Sequence, residues 1–300
     1  MEIYQIRAFV TVARTGNLTR AADALHLTQP AVTAQIKALE QSLGVALFDR
    51  TSGRITLARA GEMLLPTAEA LLSQVNQLKA NAARLKGELH GTVNLGVPSE
   101  RMDFLRLAHL ASRITASLPM VDLQTHILPS SELIDQVSVG TLSAALTITA
   151  WPPRDVLWVP LRTVSYRLVV PNSLAAQARE AGWPEIAVMP WVDGYPGSHT
   201  HLLLRELFER HGLVHRTVMN SDDLANIDAL VRAGAGCALM REEVALTGAQ
   251  HQDFIVWGHA RVDAVLGFAV SHEHAADPVL IALISMLKEI WDLQTIEDED

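Results

Sequence analysis

Residues 62–86 contain no glycine and a single proline, Pro66, close to the start of the run. A stretch that long without a breaker reads as one helix, extending on the order of 40 Å at 1.5 Å per residue, and a proline near its beginning is tolerated because the first amides have no partner anyway. Leu64, Ala68, Leu71, Val75, Leu78, Ala82 and Leu85 recur at alternating spacings of four and three, the pattern of a coiled-coil seam. The alternative is an amphipathic helix packed on its own domain. Either way the chain is divided into a short module before the helix and a larger body after it. A length of 300 residues, 49% of them hydrophobic, fits two or three domains.

The charge is distributed along the same division. The net charge of -9 argues by itself against nucleic acid, since phosphate contacts need Lys and Arg. Yet residues 1–60 hold seven Lys and Arg against four Asp and Glu, a balance of +3, leaving 17 against 29, or -12, for residues 61–300. A locally basic module on an acidic body suits a DNA reader with a separate ligand-handling domain. No apolar run approaches the roughly 20 residues of a membrane span, and residues 1–14 lack the features of a signal peptide. A cytoplasmic protein with no membrane partner is expected. The single cysteine, Cys237, excludes an internal disulfide and a multi-thiolate metal site.

In the first module Ile6, Phe9, Val10 and Ala13 share one helix face, ending at Gly16. Asn17 is a good cap for a second helix over residues 18–25, whose Ala21, Ala22 and Leu25 allow close approach of a neighbour. Thr28 caps a third helix with Pro30 in its first turn. Its stripe of Val32, Ile36, Leu39 and Leu43 faces the core, and the opposite stripe of Gln29, Thr33 and Lys37 suits base edges and phosphates. Residues 47–57 read as a hairpin around Ser52-Gly53 with Arg50 and Arg54 beside its tip. Two tightly joined helices followed by an arginine-bearing hairpin describe a winged helix-turn-helix. Thr28, Gln29, Pro30, Thr33, Lys37, Arg50 and Arg54 are its expected DNA-binding residues.

Ala21-Ala22 through Leu25, Thr28 to Thr33, Ile36, Leu39-Glu40, Leu43-Gly44, Leu47-Phe48, Arg50, Thr56-Leu57 and Gly61 together resemble the signature of LysR-type transcription regulators. The resemblance is dense over residues 1–65 and continues as pattern, length and order of elements. It implies a winged helix-turn-helix at residues 1–58 and a linker helix at 59–88 that dimerises through Leu64, Leu71, Val75, Leu78 and Leu85. It further implies an α/β effector-binding domain at 89–300, two-lobed like periplasmic binding proteins. The partners expected are double-stranded DNA, a small-molecule effector, a second copy with pairing of dimers into a tetramer, and RNA polymerase.

The body carries that reading. Strands and helices alternate from Gly91 onward, as in a parallel α/β lobe, and a second lobe follows. Lobe I is placed at 89–162 and 268–300 and lobe II at 163–267, with crossings near residues 162–167 and 266–269. Ligands in such sheets sit at the carboxyl ends of strands. The candidate effector residues are accordingly Ser99, Glu100, Arg101, Leu128, Ser130, Ser131, Thr149, Tyr195, Ser198, His199, Thr200 and Asp222, the serines serving equally well as helix caps. Hydroxyls and Arg101 suggest a small organic acid, whereas Glu100 and Asp222 leave a cationic or polar effector open. Where the family usually has an acidic residue after the glycine preceding the third strand, Ser143 stands, which puts one polar contact in doubt.

Other chemistry has weaker footing. His199, His201 and Asp193 lack a convergent third ligand, so no metal is expected. Cys237 sits in an apolar strand entry, the setting of an inert thiol rather than a peroxide sensor. No nucleophile beside a base, Walker loop or dinucleotide fingerprint is present, so no cofactor and no enzymatic activity are expected. An assembly module or an enzyme with an appended helical domain would need neither the Gln29, Thr33, Lys37 stripe nor the arginine-bearing wing.

Overall fold

The computed structural model describes residues 1–51, 54–86, 89–221 and 223–293. The chain divides into two compact units, residues 1–82 and residues from 83 onward.

The first unit begins with α1 (Ile3–Thr15), α2 (Leu18–Ala24) and α3 (Gln29–Leu43). Asn17 Oδ1 accepts from the Thr19 and Arg20 amides, so α2 starts where its cap dictates. Thr28 caps α3 by accepting from the Ala31 amide. The strands β1 (Phe48–Thr51) and β2 (Arg54–Leu57) pair antiparallel, Phe48 opposite Leu57 and Thr51 opposite Arg54. Phe9, Val32, Ile36, Leu39, Leu47 and Phe48 form the core, with Phe9 and Phe48 meeting edge to face at 5.6 Å. Leu43, expected in that core, is 40% exposed because it belongs to the last turn of α3.

The helix α4 (Arg59–Leu85) begins three residues before the breaker-free run at 62–86, so Pro66 falls inside it, and the Glu62 carbonyl has no amide four residues on. A Cβ at Gly61 would lie 2.2 Å from the Leu47 carbonyl oxygen, which is why glycine is needed where helix and wing touch.

The second unit is an α/β body. The strands β3 (His90–Val97) and β4 (Met120–Ile127) run parallel, and β5 (Ala144–Thr149) lies parallel on the other side of β3. The helices α5 (Leu107–Ser117) and α6 (Ser130–Ser138) connect them. The long strand β6 (Leu157–Pro171) leads through α7 (Ala175–Ala178) and α8 (Trp183–Val188) to β7 (Pro190–Gly194), α9 (His199–Glu209) and β8 (Arg216–Ser221). Then come α10 (Leu224–Arg232), β9 (Ala238–Arg241), α11 (Glu242–Gln250), the second long strand β10 (Phe254–Val270) and α12 (Pro278–Ile290). The main sheet has the order β4-β3-β5-β10-β6-β9, and β7 with β8 forms a small parallel sheet bridged to Cys237.

Residues 265–270 of β10 pair with β5, and residues 238–241 of β9 pair with residues 166–169 of β6. Between these regions β6 and β10 pair with each other, so the chain passes from lobe to lobe at residues 163–165 and 262–264. The second crossing therefore precedes the expected 266–269, and lobe I resumes at 265 rather than 268. That shift follows from β10 starting at Phe254, so that it runs beside β6 before its end from Val265 pairs with β5. Ser143 does make a polar contact: its hydroxyl accepts from the Asn94 amide at 3.0 Å and its own amide donates to the Asn94 carbonyl.

Candidate functional site

In the first unit Thr28, Gln29, Pro30 and Lys37 are exposed and Thr33 is half-buried, while Val32, Ile36 and Leu39 on the other side of α3 are almost wholly buried. The helix therefore presents one polar face. It is tied to the wing by Glu40, whose Oε1 accepts from the Leu47 and Phe48 amides at 2.8 and 3.3 Å. Arg50 and Arg54 lie on the two wing strands, and their side chains fall outside what the structure describes.

Along α4 the apolar seam is split. Ala68 is buried in the first unit's core and Leu64 packs against it, Val75 is half-buried, and Leu71, Leu78 and Leu85 are 40, 72 and 86% exposed. Leucines exposed to that degree at helical spacing are left uncovered by the described residues.

Within the second unit, cavities open where the lobes meet. One of about 430 Å³ is lined by Ser99, Leu128, Ser130, Tyr195, Ser198, His199 and Thr200. Another of about 480 Å³ shares Ser99, Thr200 and Asp223 with it and adds Glu100, Arg101, Tyr166 and Arg241. A third of about 280 Å³ takes Ser131 and Thr149 beside Ser130 and His199. Eleven of the twelve expected effector residues thus line one cluster of cavities, while Asp222 lies outside the described residues. Several are also structural. Ser198 caps α9, its hydroxyl accepting from the His201 amide, and Arg101 is paired with Asp103 at 2.8 Å. The Ser131 amide donates to the Gly197 carbonyl at 3.1 Å across the lobes. Gly197 has φ +88° there, and a Cβ would lie 2.5 Å from Ser131 Oγ.

The buried polar groups of the cleft come from both lobes. The Glu100 carboxylate, from lobe I, has no exposed side-chain surface and faces lobe II, with Oε1 at 3.3 Å from His199 Nε2 and Oε2 at 3.4 Å from Arg241 Nε. Arg241 stacks over the Phe104 ring at 4.1 Å. The Tyr166 hydroxyl is fully buried, and burial, then the charge of Glu100, push its pKa well above the ordinary value. Trp151 donates across the lobes to Glu206, whose carboxyl burial pushes up but whose hydrogen bonds from Trp151 and Arg210 hold it below its usual range. Sequence reading missed Tyr166, Asp223 and Arg241 as cleft residues. Asp223 was within reach, adjacent to Asp222 and before a helix, whereas Tyr166 and Arg241 lie mid-strand and at a strand end among apolar neighbours.

Asp193 resolves the histidine pattern. Its Oδ2 accepts from His201 Nδ1 at 2.8 Å and His215 Nε2 at 2.9 Å, fixing the start of α9 against β7. His199 turns away toward Glu100. Among the described residues no group of His, Cys, Asp and Glu is arranged to hold a metal.

A helix-turn-helix unit joined to a two-lobed body with polar cavities between the lobes defines a ligand-responsive DNA-binding regulator. Residues 3–62 match the family model for the bacterial regulatory helix-turn-helix protein of the lysR family, and residues 86–292 match that for the LysR substrate binding domain. The chain belongs to the LysR family of transcription regulators. It is 30% identical to the HTH-type transcriptional regulator CfxR of Cupriavidus necator over 80% of this chain and 75% of that one. It is likewise 30% identical to the HTH-type transcriptional regulator IlvR of Caulobacter vibrioides over 85% and 88%. The oxidized form of OxyR from Corynebacterium glutamicum has the same fold, with a TM-score of 0.56 at 19% identity over 97% of this chain and 91% of that one. No helix among the described residues is long and apolar enough to cross a membrane.

Proposed function

We propose that this regulator reads promoter DNA with α3, working as a dimer joined through α4, and that a small molecule held between the lobes changes its action on RNA polymerase in the cytoplasm, without catalysis. The observation that carries the DNA-reading part is the division of α3 into a buried apolar side and an exposed side bearing Thr28, Gln29, Pro30 and Lys37, with Thr33 at its edge. Gln29 and Thr33 carry the short hydrogen-bonding ends that base edges need, and Lys37, with Arg50 and Arg54 of the wing, suits phosphates. A two-fold pair of recognition helices in such a dimer addresses two half-sites, and pairing of dimers into a tetramer belongs to the reading as the family resemblance implies it.

Selection from randomised DNA, followed by titrations at several salt concentrations, tests the assignment. Gln29→Ala and Thr33→Ala are each expected to lose roughly 1 to 3 kcal/mol of discrimination at one operator position. Lys37→Ala and Arg54→Ala should weaken all sequences alike and reduce the salt slope by about one each. Unchanged base preference in the first pair, or an unchanged salt slope in the second, removes those residues from the interface.

A further inference from the structure

Among the described residues that line the cavity of about 480 Å³, the buried side-chain atoms left without a hydrogen-bond partner are mostly acceptors. Glu100 Oε1 is buried and has no hydrogen-bond partner, the 3.3 Å approach of His199 Nε2 not amounting to a hydrogen bond. The Tyr166 hydroxyl, which lines the same cavity, is likewise buried and unpartnered. Asp228 also lines it, with Oδ2 held by Arg232 and Oδ1 without a partner. A buried carboxylate left so incompletely satisfied is unfavourable and marks a place where a ligand supplies the missing donor.

The cations of the cavity are already engaged. Arg101 forms two hydrogen bonds to Asp103, and Arg241 faces Glu100 and Glu243 while stacking on Phe104. An organic acid entering here finds no uncommitted guanidinium among the described lining residues and meets Glu100, Asp223 and Asp228 instead. The remaining wall is apolar, with Leu224, Ile227, Leu239, Met240 and Val244.

We propose that the effector is a small organic amine, whose ammonium group donates to Glu100 Oε1 and the Tyr166 hydroxyl while its apolar body lies against Leu224, Ile227 and Leu239. The proposal rests on the reading of the inter-lobe cleft as the effector site. It reverses the organic acid that the hydroxyl-rich loops suggested, because the acceptors left open outnumber the donors. Such a ligand bridges Glu100 of lobe I and Tyr166 of lobe II. It therefore favours whichever arrangement of the lobes brings the two together, by its difference in affinity between the arrangements.

Thermal unfolding of the full chain tests the class, with 2-phenylethylamine and hexylamine as probes and 3-phenylpropionate and hexanoate as their acidic counterparts. Ligands that bind only the folded state raise the midpoint by mass action. The amines are expected to raise it with concentration and the acids not to. Glu100→Gln and, as a variant at a more exposed position, Asp228→Asn are expected to weaken the amine response, the former at least about tenfold for loss of a charge-assisted bond. An amine response as strong in both variants as in the unaltered chain overturns the proposal, as does the absence of a midpoint shift with either amine. Ile227→Trp, which crowds the apolar wall assigned to the ligand's body, separates the two readings. Should the acids alone stabilise the chain and Ile227→Trp abolish that effect, the amine class falls and the cleft remains the effector site. A response to either probe class that Ile227→Trp leaves unchanged places the ligand away from this wall and overturns the proposed site.

Discussion

Cys237 enters β9 from a backbone bridge to Trp191, fully buried, and burial pushes its thiol up to about 12. At pH 8 only about one thiol in ten thousand is then ionised, and the thiolate is the nucleophile. Iodoacetamide is expected to leave Cys237 untouched in the folded protein and to label it once the chain is unfolded in urea. Rapid native labelling would return the residue to the list of sensors. Glu40 makes the opposite point, that a surface-facing polar residue can be structural. Glu40→Ala strands the amides of Leu47 and Phe48 in the core, at about 1 to 3 kcal/mol, and should speed hydrogen exchange at both, with Glu40→Gln milder. Unchanged protection in Glu40→Ala refutes the tie. Glu40 was visible in the sequence as part of a dense signature, but its two bonds were not. In the same way Glu100 was singled out by its place after a strand, while its partners Arg241 and His199 come from distant stretches that only the folded sheet brings together.

Elements with a strong local period were legible, and those shaped by tertiary pairing were not. The helices α2, α3 and α4 follow from caps and apolar spacing. By contrast β7 contains Pro190 and Gly194, and β8 is almost wholly exposed, so neither shows an apolar alternation. The first half of β10 carries Gly258, His259 and Arg261, which hides a strand that the bulged pairing with β6 sustains. On α4 the exposed Leu71, Leu78 and Leu85 continue the seam beyond the part covered by the first unit's core. If a second copy covers them, Leu71→Asp with Leu78→Asp buries unpaired carboxylates and the dimer dissociates. Sedimentation velocity should then show a monomer, and operator affinity should collapse, since one recognition helix cannot hold two half-sites about 34 Å apart. A dimer that persists with normal operator binding excludes α4 as the joining element.

For the whole molecule, the division into two compact units separates what binds DNA from what binds an effector, each with its own core. The lobes of the second unit are connected by β6 and β10, where Val164 and Ser165 pair with Ala264 and Asp263 and, among the described residues, with no third strand, a narrow waist suited to bending. Polar contacts across the cleft join Ser131 to Gly197, Trp151 to Glu206 and Glu100 to Arg241, and a ligand's differential affinity can compete with them. Thr200 is almost fully buried and, like Ser99, lines both larger cavities, while the Ser131 hydroxyl stands beside Gly197. Ser99→Ala, Ser131→Ala and Thr200→Ala are therefore expected to shift the effector concentration for half-maximal transcription by roughly two- to tenfold, about 1 kcal/mol for each lost hydrogen bond. None of the three belongs to the first unit, so footprints of the ligand-free protein on its operator should keep their position and extent. Response curves unchanged in all three variants would place the effector away from these hydroxyls. Impaired footprints without ligand would mean instead that these hydroxyls serve the folding of the body.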